Sequence, residues 1–173
     1  MSKLKTEVIK YSKKLNITNL SALRSGNISV RAKEKSIDGF YITPSGMKYS
    51  SLKTKDIVFV SLKGIFDKKK GKPSSEWKFH QDIYVNKKEA NAIVHAHSTC
   101  ATAISSHQKN IPAFHYMVAV AGGEDVKCTK YATFGTKQLS KNIIKVLKNR
   151  TACLIANHGQ VAFGDNLEKT FEL

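Results

Sequence analysis

His95-Ala96-His97 closes an apolar run, Asn91-Ala92-Ile93-Val94, whose composition predicts a buried β-strand. Residues two apart on a strand face the same side, so the two imidazoles project together from the strand end. A third, His158, stands in a similar setting, Leu154-Ile155-Ala156-Asn157-His158-Gly159. Three neutral imidazoles suit a catalytic zinc site. An H-x-H pair by itself is equally compatible with solvated or hydrogen-bonded histidines, so the surrounding residues have to decide.

Three short segments combine glycine or proline with hydroxyl or amide side chains: Ser25-Gly26-Asn27, Thr43-Pro44-Ser45-Gly46 and Pro73-Ser74-Ser75. Each can present backbone N–H groups and hydroxyls to an anion, and the last adds a helix N-terminus. Any one alone reads as an ordinary turn. Three of them upstream of a histidine cluster point to a phosphate pocket beside a metal. His80 follows Glu76 by one helical turn and reads as a packing or hydrogen-bonding residue more readily than as a further ligand. His107 reads as a surface residue, and Trp77, Phe79 and Tyr84 as core or interface packing.

The elements that must position these groups are legible from periodicity. Leu4, Val8, Tyr11 and Leu15 recur at helical spacing, so a helix ends near Asn16. Strands are expected at Ile28-Ser29-Val30-Arg31, at Phe40-Tyr41-Ile42-Thr43 after a turn around Asp38-Gly39, and at Ile57 to Leu62, with hairpin-like connections. Ser74 and Ser75 precede a run from Glu76 to Tyr84, where a serine cap and an acidic first turn predict a helix with Glu76 at its start. Thr99 to Ser106 is helix-compatible, and Lys137 to Lys148 carries Leu139, Ile143, Ile144 and Leu147 on one face. Strands at Ala152 to Ala156 and Val161 to Phe163 precede a helix beginning near Asn166. The pattern is α/β, a mostly antiparallel sheet covered by helices.

At 173 residues and 41% hydrophobic content the chain suits one domain with a substantial core. No signal-peptide pattern or membrane-length apolar run is present, and Cys100, Cys128 and Cys153 are an odd count at wide spacings. The expectation is a soluble cytoplasmic protein with reduced thiols and no membrane partner. A formal net charge of +16 raises the question of nucleic acid. The lysines are scattered, as in Lys13-Lys14, Lys68-Lys69-Lys70 and Lys87-Lys88, without aromatic interleaving, so a solvated surface is expected and no nucleic-acid partner. A general positive field still attracts small anions.

Ser25-Gly26-Asn27-Ile28-Ser29-Val30-Arg31, Ile42-Thr43-Pro44-Ser45-Gly46, Pro73-Ser74-Ser75-Glu76-Trp77 and Val94-His95-Ala96-His97 together resemble the class II aldolase/adducin family. Ile111-Pro112-Ala113-Phe114-His115-Tyr116-Met117, Tyr131-Ala132-Thr133-Phe134-Gly135-Thr136 and Asn157-His158-Gly159 look like its L-fuculose-1-phosphate aldolase branch, and the likeness covers nearly the whole chain. The resemblance implies a three-layer α/β/α fold over residues 1–173, with the last long helix and tail shortened by roughly one to three turns. It implies one zinc per chain, bound by His95, His97 and His158 with Glu76 as a resting ligand. Glu76 would also be the acid/base, where the epimerase branch usually has aspartate. Gly26, Asn27, Ser45, Gly46, Ser74 and Ser75 would hold the substrate phosphate. Tyr116 would reach a neighbouring subunit's site in a homotetramer and assist proton transfer at the aldehyde, with His115 beside it at the subunit boundary.

Ala96 departs from the asparagine common in that branch, and its side chain is expected to face away from the metal. The implied reaction is zinc-dependent cleavage of a ketose 1-phosphate such as L-fuculose 1-phosphate to dihydroxyacetone phosphate and an aldehyde such as L-lactaldehyde. Sugar-phosphate epimerases, decarboxylases or dehydratases of the same family, and non-catalytic adducin-like interaction domains, are the competing readings.

Overall fold

A computed structural model describes residues 2–173. Its six strands form one sheet in the order β3-β2-β1-β4-β6-β5, with every neighbouring pair antiparallel. The strands are β1 (Asn27–Glu34), β2 (Ile37–Ile42), β3 (Val58–Ser61), β4 (Ala92–Ala96), β5 (Ala152–Ile155) and β6 (Gly159–Gly164). The helices are α1 (Ser2–Ile17), α2 (Trp77–Asn86), α3 (Thr99–Ser106), α4 (Lys137–Val146) and α5 (Leu167–Glu172).

Two apolar clusters, one on each face, account for the layering. On β4 the pleat sends Ile93 to one face, where it meets Phe79 and Ile83 of α2 and Leu139 and Ile143 of α4. The alternate residues Ala92, Val94 and Ala96 face Val8, Tyr11 and Leu15 of α1 and Leu167 of α5. Ala96 therefore points away from the histidines, as expected. The small side chains on this second face let α1 and α5 lie close to the central strands.

Arg31 fastens α2 to the sheet. Its guanidinium donates to the carbonyls of Tyr84, Lys87 and Ala90 at 2.8–2.9 Å and lies 4.9 Å over the Tyr84 ring. Cationic N–H groups placed on the last carbonyls of a helix satisfy them and complement its dipole. The α2–α4 contact is tied by Asp82, which accepts from Ser140 Oγ and pairs with Lys78 at 2.8 Å.

Three local expectations need correction. The β1–β2 turn is at Lys35-Ser36, both with positive φ (47° and 66°), which is the geometry of a two-residue primed turn. Asp38 and Gly39 instead lie inside β2, where a Cβ at position 39 would come 2.3 Å from the Val60 carbonyl oxygen. That glycine serves a close strand approach and not a turn. Second, β2 and β3 pair but are not joined by a tight hairpin, because residues 43–57 form a longer excursion with short 3₁₀ turns at Tyr49–Ser51 and Thr54–Asp56. Third, α2 starts at Trp77 and Glu76 is its N-cap residue with no capping hydrogen bond from the side chain. Ser74 Oγ accepts from the Glu76 N–H at 3.3 Å, a local turn in place of a serine cap. The carboxylate is engaged elsewhere.

No helix among the described residues is long and apolar enough to cross a membrane. All three cysteines are free, Cys153 buried, Cys128 half-buried and Cys100 exposed.

Because Ile93 is fully buried on a central strand, Ile93→Ala should cost about 2–5 kcal/mol, read as a lower urea midpoint. The exposed Ile17→Ala should stay within about 0.5 kcal/mol of the parent protein in the same titration.

Candidate active site

The antiparallel register gathers the expected residues at one end of the sheet. Asn27 at the start of β1 is directly opposite His95 near the end of β4, and Ala96 is opposite Gln160 at the start of β6. His97 is the first residue past β4, and His158 occupies the tight turn between β5 and β6. Glu76 enters from the N-cap of α2.

The imidazoles form a nearly equilateral triangle, with ring centroids 4.7, 4.7 and 4.8 Å apart. Their Nε2 atoms converge with the Glu76 carboxylate. His95 Nε2 is 2.8 Å from His97 Nε2 and 3.1 Å from Glu76 Oε2, and His158 Nε2 is 3.4 Å from Glu76 Oε1. The four side chains offer ligand atoms that all lie within 4.8 Å of one another. Tetrahedral coordination at bonds of ~2.1 Å separates ligand atoms by about 3.4 Å, so this set is already near the required spacing.

Two observations on the donors fit a cation. His95 Nδ1 lies 2.8 Å from the Gln160 carbonyl oxygen, which only accepts, so Nδ1 carries a proton. In the neutral ring Nε2 is then a bare lone pair facing a carboxylate oxygen, an arrangement that needs a positive charge between them. Such a second hydrogen bond is how metal-ligating histidines are commonly oriented. Glu76 Oε1 is buried without a hydrogen-bond partner, which is costly for a carboxylate unless a cation satisfies it.

Electrostatics agree. Burial would push the Glu76 carboxyl upward, but the electrostatics of the facing His95 and His158 rings and the hydrogen bond from Asn27 outweigh it and hold the group at about 2. Burial first, and then His95 and His158, lower His97 to about 3, and burial first, and then His95, lower His158 to about 4. Both rings are thus neutral and ligand-competent near pH 7.

Supporting contacts fix the cluster in place. The His97 N–H donates to Ser21 Oγ at 3.0 Å. The end of α3 pins the His158 turn, since Ser105 accepts from the N–H groups of Asn157 and His158. Gly159 lets β6 pass close to the end of β4: a Cβ there would sit 2.4 Å from the Ala96 carbonyl oxygen and 3.1 Å from the His97 ring.

Beside the cluster opens a cleft of about 250 Å³ lined by Gly26, Asn27, Ser45, Gly46, Ser74 and Ser75 together with Glu76, His97 and His158. Two of the three predicted anion segments are paired to each other. Ser45 N–H donates to the Lys72 carbonyl at 3.0 Å and Ser74 N–H to the Thr43 carbonyl at 2.9 Å, around a Pro44–Pro73 bridge. Three larger clefts, of about 770, 600 and 390 Å³, are mainly apolar and include no member of the cluster, so chemistry and not size marks the site.

Tyr116 is not brought to this cleft within the chain. It is 78% exposed at the start of a 3₁₀ segment, Tyr116–Ala121. His95 is fully buried in the cluster, and His80 uses its ring nitrogens on Asn27 and Ser29, as a hydrogen-bonding residue. Arg24 and Phe134, which sequence reasoning passed over, also line the cleft, and Arg24 Nη1 donates to the Gly46 carbonyl at 2.9 Å. Arg24 directly precedes Ser25-Gly26-Asn27, and a cation next to an anion-binding turn is the signal that could have found it.

Residues 6–173 match the family described as Class II Aldolase and Adducin N-terminal domain. The L-fuculose phosphate aldolase of Escherichia coli (strain K12) is 42% identical over 172 residues, covering 99% of this chain and 78% of that protein. The 5-methylthioribulose-1-phosphate/5-deoxyribulose-1-phosphate aldolase of Rhodospirillum rubrum is 41% identical over 170 residues, covering 98% of this chain and 75% of that one. A solved L-fuculose 1-phosphate aldolase superposes with a TM-score of 0.92 at 41% identity, over 99% of this chain and 80% of its own.

His97 and His158 have folded values below the unfolded 6.5, and Glu76 a folded value below the unfolded 4.5. The unfolded chain therefore takes up more protons as pH falls, and stability present above pH 6.5 is lost progressively toward pH 3–4. The urea midpoint of the metal-free protein should decline from pH 7.5 to pH 5, and a flat profile would contradict the assignment. Gly159→Ala should weaken the cluster's affinity for an added divalent cation, measured by titration calorimetry, with the secondary structure retained in circular dichroism.

Proposed function

The chain belongs to the class II aldolase and adducin N-terminal domain family, and from that premise we propose that it is a metal-dependent aldolase. It cleaves a short ketose 1-phosphate to dihydroxyacetone phosphate and an aldehyde. The observation that carries this reading is the meeting of Glu76, His95, His97 and His158 with the serine- and glycine-lined cleft at one end of the sheet. An adducin-like interaction domain would have no use for a complete ligand set, so the intact cluster favours an enzyme.

In this reading His95, His97 and His158, with Glu76, hold one zinc ion per chain. A divalent cation there supplies a Lewis acid that offsets the negative charge developing on the ketose oxygens as the carbon–carbon bond breaks. No lysine lines the cleft, which accords with charge stabilisation by a cation in place of a Schiff base. Backbone N–H groups at Gly26 and Gly46, the Asn27 amide and the hydroxyls of Ser45, Ser74 and Ser75 bind the phosphate. Arg24 adds a charge at the rim. Contacts remote from the reacting bond hold the reactive carbons in register. Glu76, buried and ionised beside the cluster, takes a proton from the substrate and returns it.

Both relatives named above are named as aldolases of phosphorylated sugars, L-fuculose phosphate in one and 5-methylthioribulose 1-phosphate or 5-deoxyribulose 1-phosphate in the other. The shared part is the phosphate end, which the cleft is built to bind; L-fuculose 1-phosphate is our first choice of substrate. Tyr116 completes the site from a neighbouring subunit of a homotetramer, an arrangement supported by the exposure of Phe114, Tyr116, Met117 and Val120 together. Small soluble sugar phosphates as substrates accord with a cytoplasmic enzyme.

The tag-free protein should carry about one zinc per chain by elemental analysis. It should release dihydroxyacetone phosphate from L-fuculose 1-phosphate, with L-ribulose and 5-deoxyribulose 1-phosphates as comparators. Glu76→Gln should lower kcat by about 10²–10⁴-fold. Absence of bound metal, or of release from all three sugars, would overturn the reading.

A further inference from the structure

Behind Glu76 runs a hydrogen-bonded row of four side chains, Asn27, His80, Ser29 and Tyr84, the last three of which neither metal nor phosphate binding requires. Glu76 Oε2 accepts from Asn27 Nδ2 at 3.0 Å, and Asn27 Oδ1 meets His80 Nε2 at 2.5 Å. His80 Nδ1 meets Ser29 Oγ at 2.7 Å, and Ser29 Oγ meets Tyr84 Oη at 2.8 Å. His80 and Ser29 are 0% exposed, Tyr84 1% and Asn27 2%. So deep a polar row is costly unless it is fully satisfied.

Donor chemistry gives the row a single direction. A carboxylate only accepts, so Asn27 must turn its Nδ2 toward Glu76 and its Oδ1 toward His80. Oδ1 also only accepts, so the His80 proton is on Nε2. Its Nδ1 is then bare and takes the Ser29 hydroxyl hydrogen, and Ser29 Oγ accepts from Tyr84. Every donor points toward the carboxylate. In the reverse direction the Tyr84 hydroxyl hydrogen would have no acceptor, because Ser29 Oγ is the partner of that hydroxyl among the described residues. Reversal would also set Asn27 Oδ1 against Glu76 Oε2 unless that oxygen were protonated.

We propose that His80 is a positioning residue: as its Nε2–H tautomer it locks the Asn27 amide, keeps Glu76 Oε2 an acceptor, and leaves Oε1 as the oxygen that carries the proton. The assignment rests on the reading of Glu76 as the acid/base. A proton leaving the substrate forms its new O–H bond at Oε1, the electron pair stays on the substrate, and the same oxygen hands the proton back. Oε1 is the oxygen suited to this because it alone of the two carboxylate oxygens lacks a hydrogen-bond donor, and it would take the proton once the substrate's own oxygens had replaced it beside the cation. His80 thus acts without touching substrate.

The test combines spectroscopy on the metal-free protein with kinetics on the zinc-loaded enzyme. In ¹⁵N-histidine NMR at pH 7, the resonances lost in His80→Gln identify His80, and they should show a protonated Nε2 and a bare Nδ1. A protonated Nδ1 or an imidazolium would overturn the proposal. His80→Phe keeps the ring shape without the donor, and should lose about 10–100-fold in kcat with KM and zinc content held. His80→Gln returns an amide N–H to the Nε2 position and should recover most of that loss. Equal losses in both variants, or a loss confined to KM, would overturn the positioning role. A wild-type protein that releases no dihydroxyacetone phosphate would defeat the aldolase reading, and the tautomer would still decide the locked amide.

Discussion

A carboxylate held at 6% exposure among three imidazoles sets the terms for everything around it. Taken out of water, Glu76 has to recover its solvation from fixed protein groups. Asn27 donates to one of its oxygens, and the His95 and His158 nitrogens that face the two oxygens leave between them the place where a cation would complete the balance. The N-cap position of α2 is a fitting place for such a group, because the positive end of the helix dipole favours an anion there. The usual role of an N-cap side chain, closing back on its own helix, is given up in exchange.

The sheet's antiparallel order converts that local demand into a global one. Antiparallel neighbours put the start of one strand beside the end of the next, so β1, β4 and the β5–β6 turn deliver residues 27, 95, 97 and 158 to the same edge despite their separation in sequence. The pleat then sorts them. Asn27, Ser29, Ile93 and His95 share the α2 face, so the lower part of that face is apolar core and its upper part is chemistry. Phe79 is the boundary, its ring edge-on to His95 at 5.4 Å and stacked on His80 at 4.6 Å. Arg31 on the opposite end of α2 keeps the helix, and with it Glu76, at a fixed height.

How much of this was legible in the chain follows the range of the interactions. The H-x-H pair could be read because strand periodicity is local, and Leu139, Ile143 and Leu147 on α4 because helix periodicity is. The three anion segments were recognisable from their residue types, although their pairing through Pro44 and Pro73 was not. What escaped was non-local or sterically unusual. Lys35 and Ser36 turn with positive φ although neither is glycine, asparagine or aspartate, and the nearby Asp38-Gly39 offered a better-looking turn. The glycine was there because Val60 crosses at that point, which no local pattern reveals. His80 stood one turn from Glu76 and was rightly read as a hydrogen-bonding residue, but its partners lie 51 and 53 positions away in sequence.

The position of β6 has a consequence for how the molecule is made. This strand follows β5 in sequence, yet it lies between β4 and β5 and supplies, with its turn, the last residue of the His/Glu cluster. Chains emerge from the ribosome N-terminus first. During synthesis α1 to β4 can assemble while His95 and His97 wait with an open flank, and the edge of β4 stays unzipped until residues 152–164 arrive. Assembly of the His/Glu cluster is thereby deferred until that hairpin has been made, and a nascent chain interrupted before it presents a bare strand edge in place of the cluster.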